Sequence, residues 1–87
     1  MKHYVFQPKG VCSRKITIDL TDDGVIEEVA FEGGCHGNTQ GVAALVKGMD
    51  AKEAIRRLAG IRCGMRPTSC PDQLAKALTE ALAVIPA

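Results

Sequence analysis

The first third of the chain alternates apolar and polar residues with the two-residue period of a β-strand. Residues 2–7 are a weak candidate strand that ends before Pro8, and the alternation is regular from Arg14 to Leu20. The apolar face of this second strand contains Ile16, Ile18 and Leu20, and its polar face contains Lys15, Thr17 and Asp19. The pattern therefore predicts two strands, the second of which has one face suited to a core.

A tight turn and a returning strand follow. The segment Thr21-Asp22-Asp23-Gly24 predicts a β-hairpin, because an Asp-Gly pair supplies the positive φ that such a turn needs. The return strand, residues 25–32, is expected to place Val25, Val29 and Phe31 on its apolar face. Together the three segments predict an antiparallel sheet of two or three strands.

From residue 33 onwards the spacing of apolar residues is that of α-helices. The glycine-rich segment 33–41 ends the last strand and opens a first helix, whose apolar residues are Val42, Leu45, Val46 and Met49. Asp50 is expected to cap a second helix by accepting a hydrogen bond from the amide of Glu53. Gly60 is expected to end that helix.

A third helix is predicted to start at Pro71, a residue type favoured at the first helical position, with Ser69 or Cys70 as its cap. Its apolar face contains Leu74, Ala77, Leu78, Ala81 and Leu82. The predicted fold class is α+β, with a small antiparallel sheet of two or three strands followed by two or three helices packed on one face.

Length and composition limit the classes of function. The chain has 87 residues with no Trp, one Tyr and two Phe, so the core is small, and a metal, a crosslink or a second copy would stabilise it. We expect a homodimer, because a sheet of few strands leaves an open edge. The net charge is +1 and no long apolar run is present, which argues against nucleic-acid and membrane partners. We expect a cytoplasmic protein, whose cysteines are mostly reduced or metal-bound.

Four cysteines in so short a chain are the strongest chemical signal. They are separated by 23, 28 and 7 positions, and all are expected in loops at element ends: Cys12, Cys35, Cys63 and Cys70. Two of them stand at predicted helix N-termini, where thiolates are stabilised, and several Lys and Arg residues lie nearby in the sequence. Four thiolates suit zinc or an iron–sulfur cluster. No Cys-x-x-Cys pair identifies the metal, and two disulfides are the alternative in an oxidising compartment.

The same loops also allow a nucleotide-type ligand, most plausibly a flavin (FMN or FAD). A glycine-rich turn that enters a helix presents backbone amides to a phosphate, although neither a Walker nor a dinucleotide fingerprint is present. The residues of this candidate cofactor site are Gly34, His36, Gly37, Asn38, Thr39, Gln40, Arg66, Thr68 and Ser69. His36 is an alternative metal ligand. No Cys–His–Asp/Asn arrangement supports a catalytic thiol, and a purely structural interaction domain is a further alternative.

The segment Thr68-Ser69-Cys70-Pro71-Asp72 resembles the signature of TSCPD-domain proteins. Residues 61–75, 31–41 and 10–14 are similar to the stand-alone, four-cysteine branch of that family, so a single TSCPD-like domain over residues 1–87 is expected. The family also resembles a C-terminal segment of adenosylcobalamin-dependent (class II) ribonucleotide reductases.

The resemblance implies that the four cysteines are candidate metal ligands, and it leaves open a flavin held between two subunits. It also implies a larger redox enzyme as a possible partner. It does not imply reductase activity, because 87 residues cannot contain the large barrel that houses the radical cysteine.

Overall fold

The computed structural model of the protein describes residues 2–11, 13–33, 36–62, 64–65 and 67–84; the side chains of residues 2, 36–38 and 84 lie outside this description. Three strands come first: β1 (Lys2–Phe6), β2 (Ser13–Leu20) and β3 (Ile26–Gly33). Three helices follow: α1 (His36–Val46), α2 (Ala51–Leu58) and α3 (Cys70–Val84). The strands form one antiparallel sheet in the order β1-β2-β3, which confirms the predicted α+β fold.

The core lies between one face of the sheet and the helices. Ile16, Ile18 and Leu20 of β2 are almost fully buried, as the alternation predicts. The helical side of the core contains Val46, Ala51, Ala54, Leu74, Ala77, Leu78 and Ala81. Four of these seven residues are alanines, and the large, fully buried side chains of α3 are Leu74 and Leu78.

Two register shifts change which side chains face this core. In β3, Glu28 pairs with Asp19 and Ile26 pairs with Leu20, so Glu27 is an extra residue without a partner. Such a β-bulge reverses the alternation, and it is Ile26 that is fully buried. The expectation that Val25 shares the apolar face with Val29 and Phe31 is therefore wrong for Val25.

The edge of the sheet at Ile26 is covered by the chain that leads into α2. The amide of Ile26 donates to the carbonyl of Met49 at 2.9 Å, and the amide of Gly48 donates to the carbonyl of Ile26 at 2.7 Å. Val25 forms an isolated bridge with Asp50. Met49 therefore lies in the segment that covers this edge, beyond the end of α1, although the spacing grouped it with that helix.

The helix ends follow the sequence with small differences. Asp50 caps α2 as predicted, but its carboxylate accepts from the amide of Lys52 at 3.4 Å and not from that of Glu53. Leu45 is 77% exposed, so it does not join Val46 in the core. Among the described residues, no helix is long and apolar enough to span a membrane.

Candidate functional site

Cys70 is the cysteine whose side chain the structure describes, and its partner is a serine from the start of the sheet. The Oγ atom of Ser13 lies 3.0 Å from Sγ of Cys70, and both side chains are buried, with 4% and 7% exposed. Cys70 forms no disulfide in the described part of the chain. The contact joins the first residue of β2 to the first residue of α3.

Ser13 is buried because of the second register shift. Ser13 pairs with Gly33, and Lys15 pairs with Glu32, so Arg14 is an extra residue in β2. Without this bulge, the alternation that buries Ile16 would turn Arg14 inward and Ser13 outward. The bulge instead leaves Arg14 exposed and turns Ser13 toward Cys70.

Ser69 is the N-cap of α3 and also holds the loop before it. Its Oγ accepts from the amide of Asp72 at 3.2 Å, and its carbonyl accepts the first helical hydrogen bond, from Gln73. The hydroxyl proton is donated to the carbonyl of Ile61 at 2.6 Å. Cys70 is therefore the first helical residue, one position earlier than the start predicted at Pro71.

Asp72 and Gln73 connect the start of α3 with two other loops. The carboxylate of Asp72 accepts hydrogen bonds from the hydroxyl of Thr68 and from the amide of Gly60, and these bonds hold the pKa of Asp72 below its usual value. Gln73 donates to the hydroxyl of Thr68 and accepts from the amide of Lys9 at 3.0 Å. Because all these polar side chains are buried, each hydrogen bond fixes a loop position.

The loop before Cys12 packs directly on the segment before Cys70. Gly10 has a φ of +75°, and a Cβ atom at this position would lie 3.1 Å from Cγ2 of Thr68. A glycine is therefore favoured here, because L side chains rarely adopt this φ and an added Cβ would force Thr68 to move by a few tenths of an ångström.

The structure describes one of the four predicted metal ligands, Cys70. Cys12, Cys35 and Cys63 lie outside the described residues. Within the described residues, no group of three His, Cys, Asp or Glu side chains is placed to hold a metal, but only one of the four cysteines belongs to that set. The four-cysteine site therefore stays a prediction.

The residues of the candidate flavin site also stay predictions. Gly34 and Arg66 lie outside the described residues, and His36, Gly37 and Asn38 are described only as backbone of α1. Thr39 is buried and Gln40 is exposed. Both line a cavity of about 250 Å³ between β3 and α1, which is smaller than the ~300–1,000 Å³ of most small-molecule sites.

Thr68 and Ser69, the remaining described members of that set, are engaged in the hydrogen bonds at the start of α3.

The cations near the cysteines in the sequence have different environments in the fold. Arg56 and Arg57 both donate to the carboxylate of Glu53 on α2, and these hydrogen bonds lower the pKa of Glu53 to about 2. Arg14 and Arg62 are exposed. Arg56 and Arg57 therefore form ion pairs with Glu53 on the surface of α2.

Sequence reasoning missed three polar residues of this region: Ser13, Asp72 and Gln73. Their burial is decided by loops far away in the chain. A signal was present for Asp72, which stands three residues after Ser69 in the spacing of a capping box, although its carboxylate bonds Thr68 and Gly60 instead of the amide of Ser69.

The architecture defines a small α+β protein in which loops that flank cysteines meet at the start of the last helix. The family model of the TSCPD domain matches residues 2–82, and the chain belongs to this family. The TSCPD domain is found in class II ribonucleotide reductases. No curated protein and no solved structure matches the chain.

Proposed function

We propose that this chain is a small metal-binding module in which Cys12, Cys35, Cys63 and Cys70 hold one zinc ion or one iron–sulfur cluster. Four thiolates are the donor set of closed, structural zinc sites and of iron–sulfur clusters. The site would stabilise a domain whose core is small and poor in aromatic residues.

The observation that carries the proposal is the meeting of chain segments that contain or flank the cysteines. Ser13, the residue after Cys12, lies 3.0 Å from the sulfur of Cys70. Gly33, two residues before Cys35, pairs with the same Ser13 across the sheet. Three of the four cysteine-bearing segments therefore have described residues in contact around one point.

The fourth segment reaches the same region through the N-cap of α3. Ile61, two residues before Cys63, accepts a hydrogen bond from Ser69, the residue before Cys70. One or two residues of extended chain span only about 4–7 Å. These contacts between flanking residues therefore support one shared site for the four sulfurs.

The environment of Cys70 also suits a metal-bound thiolate. Cys70 is the first residue of the 15-residue helix α3, whose N-terminus carries a partial positive charge. Its sulfur is buried and lies within hydrogen-bond distance of a hydroxyl. The helix N-terminus and the hydroxyl stabilise the negative charge that a four-thiolate site accumulates, and they offset the cost of burying it.

Metal analysis and the visible absorption spectrum of anaerobically purified protein test the proposal. We expect one zinc per chain in a colourless protein, or iron and inorganic sulfide in a coloured one. Cys63→Ser and Cys70→Ser should abolish the bound metal. His36→Ala is the matched control, because four thiolates leave no position for the imidazole, and it should keep the metal.

Retention of one metal per chain in both cysteine variants would contradict the proposal. A flavin spectrum in the metal-free protein would favour the alternative site on the Gly34–Gly41 turn and the Arg66–Cys70 loop. In that case Arg66→Ala should weaken cofactor retention.

The proposal extends to partners and location. A homodimer is supported by the edge strand β1, which is paired on one side by β2 in the three-stranded sheet, whereas β3 is partly covered by residues 48–50. Sedimentation at micromolar concentration tests the dimer, and a monomer would contradict it.

A cytoplasmic location is proposed because reducing conditions keep thiols available to a metal. A larger redox enzyme is the proposed partner, since the same domain is found in class II ribonucleotide reductases.

A further inference from the structure

We propose that Ser13 is a positioning residue of the metal site, whose hydroxyl donates a hydrogen bond to the thiolate of Cys70 and so adjusts the metal–sulfur bond. This inference rests on the proposed function, because it assigns a role beside the ligand Cys70. Ser13 itself would not contact the metal.

The contact between Ser13 and Cys70 is suited both to a neutral Cys70 thiol and to a metal-bound Cys70 thiolate. Oγ of Ser13 and Sγ of Cys70 lie 3.0 Å apart, and either atom can be the donor. A neutral Cys70 thiol can donate to the hydroxyl, but a metal-bound thiolate carries no proton, so Ser13 must then be the donor. The buried hydroxyl therefore has the same partner with and without a metal.

The fold maintains this contact through a local irregularity of β2. The extra residue Arg14 reverses the alternation of the strand, so that Ser13 shares the buried side with Ile16. β-Bulges are frequent beside functional sites, where they redirect one side chain. A serine at this position without the bulge would point its hydroxyl to the opposite face of the sheet.

The chemical consequence is a weaker donation of charge from that one sulfur to the metal. A hydrogen bond to a thiolate withdraws electron density from the sulfur and fixes the rotamer of the cysteine. Neighbouring hydrogen-bond partners of metal ligands typically change metal affinity about 10–100-fold when removed. Because a single hydroxyl is involved, we expect the lower end of that range.

The test uses Zn²⁺ and Co²⁺ alone as probes of the full chain. Ser13→Ala should weaken Zn²⁺ affinity about 10-fold in competition with a chelator, because the buried thiolate loses a hydrogen-bond donor and the rotamer of Cys70 is no longer fixed, and these losses outweigh the stronger donation from the sulfur. In the Co²⁺ form it should move the sulfur-to-metal charge-transfer band to lower energy, because the sulfur becomes more electron-rich. Ser13→Thr keeps the hydroxyl and should restore both properties. Thr17→Ala, a loss of a hydroxyl on the opposite face of the same strand, should leave both unchanged.

A second pair of variants covers the case in which Ser13→Ala does not fold. Ser13→Thr and Ser13→Val have the same shape and differ in the hydroxyl group. A difference in Zn²⁺ affinity and in the Co²⁺ band between these two variants would support the role of the hydroxyl. Equal affinity and equal spectra would overturn it.

The outcomes separate this inference from the proposed function. If the wild-type chain binds the metal through its cysteines and all Ser13 variants match it, the inference is wrong and the metal site remains. If the wild-type chain binds neither Zn²⁺ nor Co²⁺, or if Cys70→Ser binds them equally well, the proposed site and the role of Ser13 both fail.

Discussion

Oδ1 of Asp72 lies 2.7 Å from the amide nitrogen of Gly60, so a carboxylate in the first turn of α3 holds the end of α2. The other carboxylate oxygen accepts from the hydroxyl of Thr68. This single side chain thus joins the segments on both sides of the loop that contains Cys63. Asp72, the last residue of the family motif, therefore has a structural role, because it connects Gly60 and Thr68 to the first turn of α3.

Replacing Asp72 by Asn should destabilise the protein by about 1–3 kcal/mol at neutral pH, because a buried carboxylate loses charge-assisted hydrogen bonds. The measurement is denaturant-induced unfolding. Asp23→Asn, in the turn between β2 and β3, is the control and should change the free energy of unfolding by less than about 0.5 kcal/mol.

The same substitution should change the pH dependence of stability. The pKa of Asp72 is lower in the folded state than in the unfolded chain, where it is about 3.9. The contribution of Asp72 to the free energy of unfolding is therefore fully present above about pH 5 and is lost as the pH falls through the folded-state pKa. The difference between wild type and Asp72→Asn should shrink on acidification to about pH 3; a constant difference would contradict the assigned role of the charge.

Gly10→Ala should destabilise the protein by more than the strain of a positive φ alone. The added Cβ would lie 3.1 Å from Cγ2 of Thr68, whereas at Gly48, where φ is +86°, nothing lies within 4 Å. Gly48→Ala therefore measures the backbone strain, about 1 kcal/mol, and Gly10→Ala should exceed it.

Thr68→Ser removes Cγ2 and keeps the hydroxyl that bonds Asp72. In a double-mutant cycle, Thr68→Ser should relieve part of the cost of Gly10→Ala, with a coupling of about 0.5–1.5 kcal/mol. Additive effects of the two substitutions would show that the loop before Cys12 does not press on Thr68.

Ile26→Ala should cost about 2–5 kcal/mol, because the side chain is fully buried in the core. Val25→Ala should cost clearly less, since Val25 is half-buried and outside the strand. Thermal unfolding of both variants tests the bulge at Glu27. A larger effect at Val25 than at Ile26 would mean that β3 keeps the regular alternation of the sequence.

Ser69→Ala should destabilise the protein by about 1–2 kcal/mol through the loss of the N-cap of α3. It should also release Ile61, whose carbonyl accepts the hydroxyl proton. Limited proteolysis between Arg62 and Arg66 would then be faster than in wild type. Ser69→Thr keeps the donor and the cap and should retain wild-type protection; equal cleavage of all three proteins would argue against this anchor.

Much of the fold could be predicted from local sequence. The alternation of Ile16, Ile18 and Leu20 defined the central strand, and Asp50 marked the start of α2. These features depend on neighbours within a few residues, whose periodicity and hydrogen bonding are set by the backbone itself. The TSCPD motif identified the family, and the match over residues 2–82 confirms it.

The tertiary structure alone decided which face Ser13 and Ile26 occupy. Regular alternation assigns both to the wrong side, because a bulge arises from pairing with another strand and leaves no mark in the alternation itself. In the same way, the sequence does not distinguish Asp72 and Gln73 from other polar helix residues. Their buried role depends on hydrogen bonds from the distant amides of Gly60 and Lys9. The sequence by itself thus determined the elements, their apolar stripes and four candidate sulfur ligands, whereas contacts between distant segments, which local periodicity cannot encode, decided what surrounds Cys70.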